Sequence, residues 1–340
     1  MTHAEDASGH MAMGPGREFD TIRRLMDRWG ALAVGIGDDA ALLHAPSGRT
    51  LVASTDAFVE NAHFREGWIS PSEIGARATA AALSDLAAMG ARADSVLIAF
   101  VVPDGWRARL LDVADGIARV LGPTGARIAG GNMSSGAEFS ITTTVIGSAA
   151  RVIPRSGARP GDILMLTGAL GGPGVALRAF DDGVEPPTWA RDRFAAPEPR
   201  LLAGQAFAAA GAHAMLDISD GLAADARHLA AASRVSLRID AGRVPRGPGV
   251  TIPEALTSGE EYELLVAVPP SIVSELLTTV PERCGVAVSV VGDVEDGGHA
   301  SSDDDGAERR VVPAGSVRIL GLTDATTRVE FTGGHDHFSR

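Results

Sequence analysis

Apolar and polar positions follow two periods along this chain, and their alternation predicts a succession of strands and helices. Residues 51–54 form a short apolar run that breaks at Thr55-Asp56. Residues 73–89 carry apolar side chains at helical spacing and stop at Gly90, which fits a C′ glycine. The continuous apolar run 96–102 ends at Pro103-Asp104 and reads as a buried strand. Residues 106–121 predict an amphipathic helix closed by Gly122-Pro123, and 126–129 a strand entering Gly130-Gly131-Asn132. The Ile-, Thr- and Val-rich segment 139–147 predicts another strand. After a turn-like stretch at 155–162 the pattern restarts with a strand at 163–167 and a helix opening at 168–172. Residues 181–199 are polar and proline-rich and read as a loop. Helices follow at 201–210 and 222–232, with strands at 215–219, 235–239, 263–268 and 286–291. The stretch 295–310, with Asp303-Asp304-Asp305, reads as a solvated loop insertion. The class is α/β (α+β) in two halves: an extension over 1–16, a domain over 17–150 and a second over 151–340.

Composition narrows the function classes. Apolar residues make up 45% but aromatics only 4%, so the core must be built from Ala, Leu, Val and Ile. A net charge of −13 without a basic stripe argues against nucleic acid as a partner. The single cysteine, Cys284, excludes an intrachain disulfide and a cysteine-rich zinc site, and fits a reducing, cytoplasmic setting. No apolar run approaches ~18 residues, so no membrane span is expected, and no signal-peptide pattern opens the chain.

The chemistry concentrates in short acidic clusters beside glycines and hydroxyls. They are Gly35-Ile36-Gly37-Asp38-Asp39-Ala40, Ser54-Thr55-Asp56 and Leu216-Asp217-Ile218-Ser219-Asp220-Gly221, with Asp85 in the run Leu83-Ser84-Asp85-Leu86. Each cluster alone reads as a turn. Several carboxylates at strand ends point instead to hard cations, which in turn suit phosphates. Asp85 reads either as a helix acid paired with Arg77 or as a further ligand, since an unpaired buried carboxylate is costly. Gly130-Gly131-Asn132 reads as a turn, or as a close backbone approach to phosphate with an amide oxygen on a cation. Gly168-Ala169-Leu170-Gly171-Gly172 could cradle an anion at a helix start, but lacks the Gly-Lys-Ser/Thr ending of a P-loop. Gly259-Glu260-Glu261-Tyr262-Glu263 alone reads as a solvated loop and strand edge.

Taken in order, these motifs resemble the thiamine-monophosphate kinases, a branch of the superfamily that includes aminoimidazole ribonucleotide synthetase. Further carriers are Arg17-Glu18-Phe19, Asn61-Ala62-His63-Phe64, Arg155-Ser156-Gly157-Ala158 and the terminal Asp336-His337-Phe338. The resemblance implies a two-domain synthetase-like fold. Its N-terminal domain dimerises through a shared barrel, and its C-terminal α/β domain closes over the nucleotide. It implies a homodimer that transfers the γ-phosphate of ATP in line to thiamine monophosphate, with several Mg2+ ions and with K+ as a further candidate. By position, Asp39, Ser54, Thr55, Asp56, Asp85, Asn132, Asp217 and Asp220 would hold metal. Gly131, Asn132, Arg155 and Ser219 would contact ATP, and His63, Glu260 and His335 the thiamine phosphate. No side chain is expected as acid or base, because the acceptor is already an anionic oxygen.

Asn132 stands where the family has Asp, and His335 where it has an aromatic residue. Two other readings stay open: another ATP-using enzyme of the superfamily, and a nucleotide-binding paralogue without turnover. A selenophosphate synthetase would want a reactive residue near the N-terminus, far from Cys284. The hydrogenase-maturation protein would want a C-terminal Cys, where this chain has Phe338-Ser339-Arg340.

Overall fold

The computed structural model describes Arg23, Asp38, residues 41–44, 48–297, 300–301, 310–311 and 314–321. Two sheets divide the chain. The first takes its strands from β1 (Ala41–His44), β2 (Thr50–Val59), β3 (Arg92–Val102), β4 (Arg127–Ser135) and β5 (Ser140–Ala149). Their order is β1-β2-β5-β3-β4, antiparallel except for the parallel β3–β4 pair. The second begins at β6 (Ile163–Thr167) and adds β7 (Ala214–Asp217), β8 (Ser236–Asp240), β9 (Leu264–Val268), β10 (Val288–Glu295) and, near the end, β13 (Val317–Leu320). Its order is β13-β8-β10-β6-β9-β7. A small pair, β11 (Ala300–Ser301) with β12 (Arg310–Val311), rises from the stretch predicted as a loop insertion. The Asp303-Asp304-Asp305 run lies outside the described residues.

Helix α1 (Pro71–Ala88) is the axis of the molecule. Ser70 and Glu73 form a reciprocal capping box at its start. At its end, the Gly90 N–H bonds the Ala87 carbonyl and the Ala91 N–H the Leu86 carbonyl, a Schellman closure with Gly90 at φ +67°. Buried residues surround the helix on every side, the mark of a helix enclosed by other elements. It packs on β2 and β5, on α2 (Leu110–Leu121), on α5 (Leu201–Ala210) and on β7. Small residues permit this. A Cβ at Gly116 would stand 1.8 Å from the Ser72 carbonyl oxygen, so α2 crosses α1 at backbone contact. One apolar cluster runs through both halves, from Val52 and Leu86 to Leu264 and Val286; a second lies within the C-terminal sheet. Among the described residues no helix is long and apolar enough to cross a membrane.

Several boundaries differ from expectation for tertiary reasons. Strand β2 does not break at Thr55-Asp56 but runs ten residues, paired with β5 along its whole length. Strand β4 continues through Gly130-Gly131-Asn132, because β3 supplies a parallel ladder that the local pattern does not reveal. The stretch 181–199, expected as a loop, contains α4 (Thr188–Ala195), which buries Ala190 and Phe194. It follows α3 (Gly172–Asp181) and precedes α5, ahead of α6 (Leu222–Ser233). Two further helices are unforeseen: α7 (Ile252–Thr257), started by a Thr251/Glu254 capping box, and α8 (Val273–Cys284).

Candidate active site

The C-terminal end of α1 ties the two sheets together. Asp85 accepts a hydrogen bond from the Ser54 hydroxyl of β2, while its neighbour Ser84 donates to Asp217 Oδ2 at the end of β7, 2.6 Å away. Successive helix positions point about 100° apart, so one turn serves an N-terminal strand and a C-terminal strand at once. Beyond Asp217 the chain makes a tight turn into α6. Asp225, in the first turn of that helix, accepts the N–H groups of Ser219, Asp220 and Gly221 on Oδ2 at 3.0–3.1 Å. Burial, then the charges of Asp220 and Asp217, hold its pKa well above the usual carboxylate range. His228 follows one turn on. Burial, then the nearby Arg155 charge, lowers it to about 3, so the imidazole is neutral. Asp220, Asp225 and His228 bring ligand atoms within 4.8 Å of one another.

The N-terminal acids reach the same region. The Arg155 N–H bonds Asp38 Oδ1 at 3.1 Å, and its Nε lies 3.6 Å from that oxygen. Asp39 falls outside the described residues. The Tyr262 hydroxyl is pushed well above its ordinary pKa by burial first and then by Glu260, with Asp56 and Asp217 adding their charges. The buried phenol thus senses the charges of acids from both halves. These carboxylates and hydroxyls form an oxygen-rich donor set in which like charges crowd one another. That chemistry fits a hard divalent cation such as Mg2+.

Two residues predicted as ligands stand apart. Thr55 alternates to the face of β2 opposite Asp56, where its hydroxyl meets Thr144 Oγ1 at 2.9 Å. Asn132 lies on β4 in the row Ala57–Thr142–Ala99–Asn132. Three strand spacings separate it from the neighbourhood of Asp56, about 14 Å along the sheet. Gly131 beside it has a structural reason: a Cβ there would sit 1.8 Å from the Ile98 carbonyl oxygen.

The residues predicted for the second substrate converge through an aromatic cage. His63 accepts the Val59 N–H on Nδ1 and lies 5.2 Å from the Phe58 ring. Phe58, Phe194 and Tyr262 surround the Arg77 guanidinium at 5.9, 3.8 and 6.0 Å. Arg77 pairs with Glu260, not with Asp85. Eight helical residues separate Arg77 from Asp85, about 12 Å of rise, so the two sit on different levels of α1. His335 and the Asp336-His337-Phe338 terminus lie outside the described residues. The glycine turn at 168–172 is filled from within: the Gly171 N–H bonds Glu261 Oε1 at 2.5 Å, and Gly174 N–H the Ser258 hydroxyl at 3.0 Å. Sequence reasoning missed Tyr262, Asp225 and His228 as parts of this site, and Arg77 as the partner of Glu260. The available signals were a charge inside an alanine-rich helix and an acid in the first turn after Asp-Gly.

The family model for the N-terminal domain of AIR synthase related proteins matches residues 37–149, and that for the C-terminal domain matches 159–305. The thiamine-monophosphate kinase of Mycobacterium tuberculosis is 39% identical over 230 residues, covering 66% of this chain and 69% of its own. That of Escherichia coli is 35% identical over 272 residues, covering 74% and 82%. The chain belongs to the thiamine-monophosphate kinase family. A solved structure of the family, AaThiL complexed with AMPPCP and TMP, superposes with a TM-score of 0.79 at 25% identity over 95% of this chain and 97% of that one. The hydrogenase maturation protein HypE also superposes, at 20% identity and a TM-score of 0.66, which extends the fold alone beyond the thiamine-monophosphate kinases.

Proposed function

We propose that this protein transfers the γ-phosphate of ATP to thiamine monophosphate, giving thiamine diphosphate and ADP. The observation that carries this reading is the joint made by Ser84 and Asp85, which unites Asp85 and Ser54 of one half with Asp217 of the other. Asp56, Asp85, Asp217 and Asp220 would hold the metal, with the Ser54 hydroxyl bonded to Asp85; Asp39, expected as a further ligand, lies outside the described residues. Bound magnesium would supply the positive charge that lets two phosphates approach. The protein contributes position. Arg155 and Ser219 face the nucleotide, and His63 and Glu260 the thiamine moiety. The acceptor is an anionic oxygen, so no base is required and orientation with electrostatics suffices.

The active form is a homodimer joined along β4. All nine residues of that edge strand are exposed, including Ile128 and Met133. They border a hollow of about 440 Å3 lined by Ile98, Phe100 and Ile117. An exposed apolar edge is a template for pairing. Asn132 lies on this edge, so joining two copies is the arrangement that would bring it to a metal site. The direct experiment incubates the protein with ATP, MgCl2 and thiamine monophosphate. Thiamine diphosphate and ADP in equal amounts are expected. ADP with free phosphate, or no ADP at all, would reject the assignment.

A further inference from the structure

Arg77, about two turns before Asp85, is wholly buried within α1 and pairs with Glu260 of the other half. Its Nη2 pairs with Glu260 Oε2, and its Nη1 donates to the Phe194 carbonyl. The guanidinium lies 3.8 Å above the Phe194 ring. A buried ion pair contributes little stability beyond a well-packed apolar residue of the same volume. The charge therefore has to be explained by what it holds.

What it holds is a strained loop. Glu260 and Tyr262 both adopt left-handed backbone, at φ +61° and +53°, a conformation that side-chain-bearing residues avoid. The Glu260 N–H bonds the Ser219 carbonyl at 2.6 Å and the Tyr262 N–H the Ile218 carbonyl at 2.8 Å, so the loop is clipped to the turn carrying Asp217 and Asp220. The Tyr262 hydroxyl donates to Glu260 Oε2 at 3.2 Å, the same oxygen that Arg77 engages. Donors from two elements, one in each half, thus fix one carboxylate oxygen and with it the direction of the carboxylate. The neighbouring acids follow other paths: Glu261 enters the glycine turn, and Glu263 meets Arg193 and Arg200.

We propose that Arg77 is a positioning residue that aims the Glu260 carboxylate at the thiamine moiety across the junction of the two halves. This rests on the assignment of Glu260 to the second substrate given above. Arg77 touches neither substrate; its effect passes through Glu260, which makes the effect specific to one substrate and non-additive with loss of Glu260.

The test is steady-state kinetics of the full chain with Arg77→Met, Arg77→Lys, Glu260→Gln and the Arg77→Met/Glu260→Gln pair. Arg77→Met is expected to raise KM for thiamine monophosphate ~10-fold or more while KM for ATP stays within about twofold. Arg77→Lys, which keeps the charge, should recover most of that rise. The paired variant should match Glu260→Gln alone to within about threefold, because one oriented carboxylate is being removed twice. It leaves no unpaired buried charge, so it reports even where Arg77→Met does not accumulate folded. A paired variant far worse than Glu260→Gln, or an equal rise in both KM values, overturns the proposal and leaves Arg77 a structural link. So does a Glu260→Gln defect that Arg77→Met fails to reproduce. An unchanged KM for thiamine monophosphate in Glu260→Gln instead removes the assignment of Glu260, and the proposal with it.

Discussion

The acids proposed to hold metal and the acids of the 259–263 loop share a chemistry and differ in their surroundings. Asp85 accepts the Ser54 hydroxyl, and the charge of Asp56 acts on the buried Tyr262 phenol. Glu263 is fully buried and saturated: Arg193 and Arg200 approach its oxygens at 2.7–2.9 Å and the Thr167 hydroxyl at 2.6 Å. Burial raises its pKa, but the arginines outweigh that and hold the group below the usual carboxylate range. Glu261, two residues earlier, receives neutral donors and only a distant guanidinium at 3.7 Å, and burial pushes it up to about 7. A carboxylate whose two oxygens are both taken up by arginines and a hydroxyl, as in Glu263, is finished as a structural element. One surrounded by its own kind retains a demand for a cation.

That contrast can be broken most directly by exchanging charge for an isosteric amide on each side. Asp56→Asn should lower turnover by ~100-fold or more at limiting magnesium, with the unfolding midpoint unchanged, because it removes charge from a crowded cluster. Glu263→Gln should do the reverse. It removes the buried charge that the part-buried Arg193 and Arg200 face and should cost about 1–3 kcal/mol of stability, read by urea denaturation. Near-normal turnover in Asp56→Asn would erase the distinction.

Glu261 sharpens the comparison through pH. Its folded pKa is raised from 4.5 to about 7, so between those values the folded state binds more protons than the unfolded one. The contribution to stability is thus complete below pH 4.5 and is lost as pH rises through 7, on the order of 3 kcal/mol for this shift. Glu261→Gln should flatten that slope in denaturation series from pH 5 to 8. An unaltered slope would mean that another group carries it.

The smallest effect concerns the open edge. Met133→Lys places a charge on exposed β4 and should weaken self-association about tenfold, measured by light scattering across micromolar concentrations. A wild-type chain that is monomeric there would reject the dimer.

The candidate acids were legible because their chemistry is local. Clusters such as Ser54-Thr55-Asp56 and the acids 217–220 announce themselves by composition, and Gly90 by its place after an apolar period. The roles of identical neighbours were not legible. Glu260, Glu261 and Glu263 lie within four positions, and only their surroundings separate a carboxylate at a domain junction from one in a glycine turn and one between arginines. The same holds for Asn132, whose distance from Asp56 depends on the strand order β2-β5-β3-β4.

By itself, then, the chain determined its alternating elements, the helix stops at glycine and the stock of oxygen ligands, because propensity, capping and side-chain chemistry act within a few residues. The tertiary structure alone decided that β2 runs on through Asp56, that Ser84 and Asp85 face opposite halves, and that Arg77 belongs to Glu260. Each depends on partners tens to hundreds of residues away, and on whether burial leaves a charge with a counter-charge beside it.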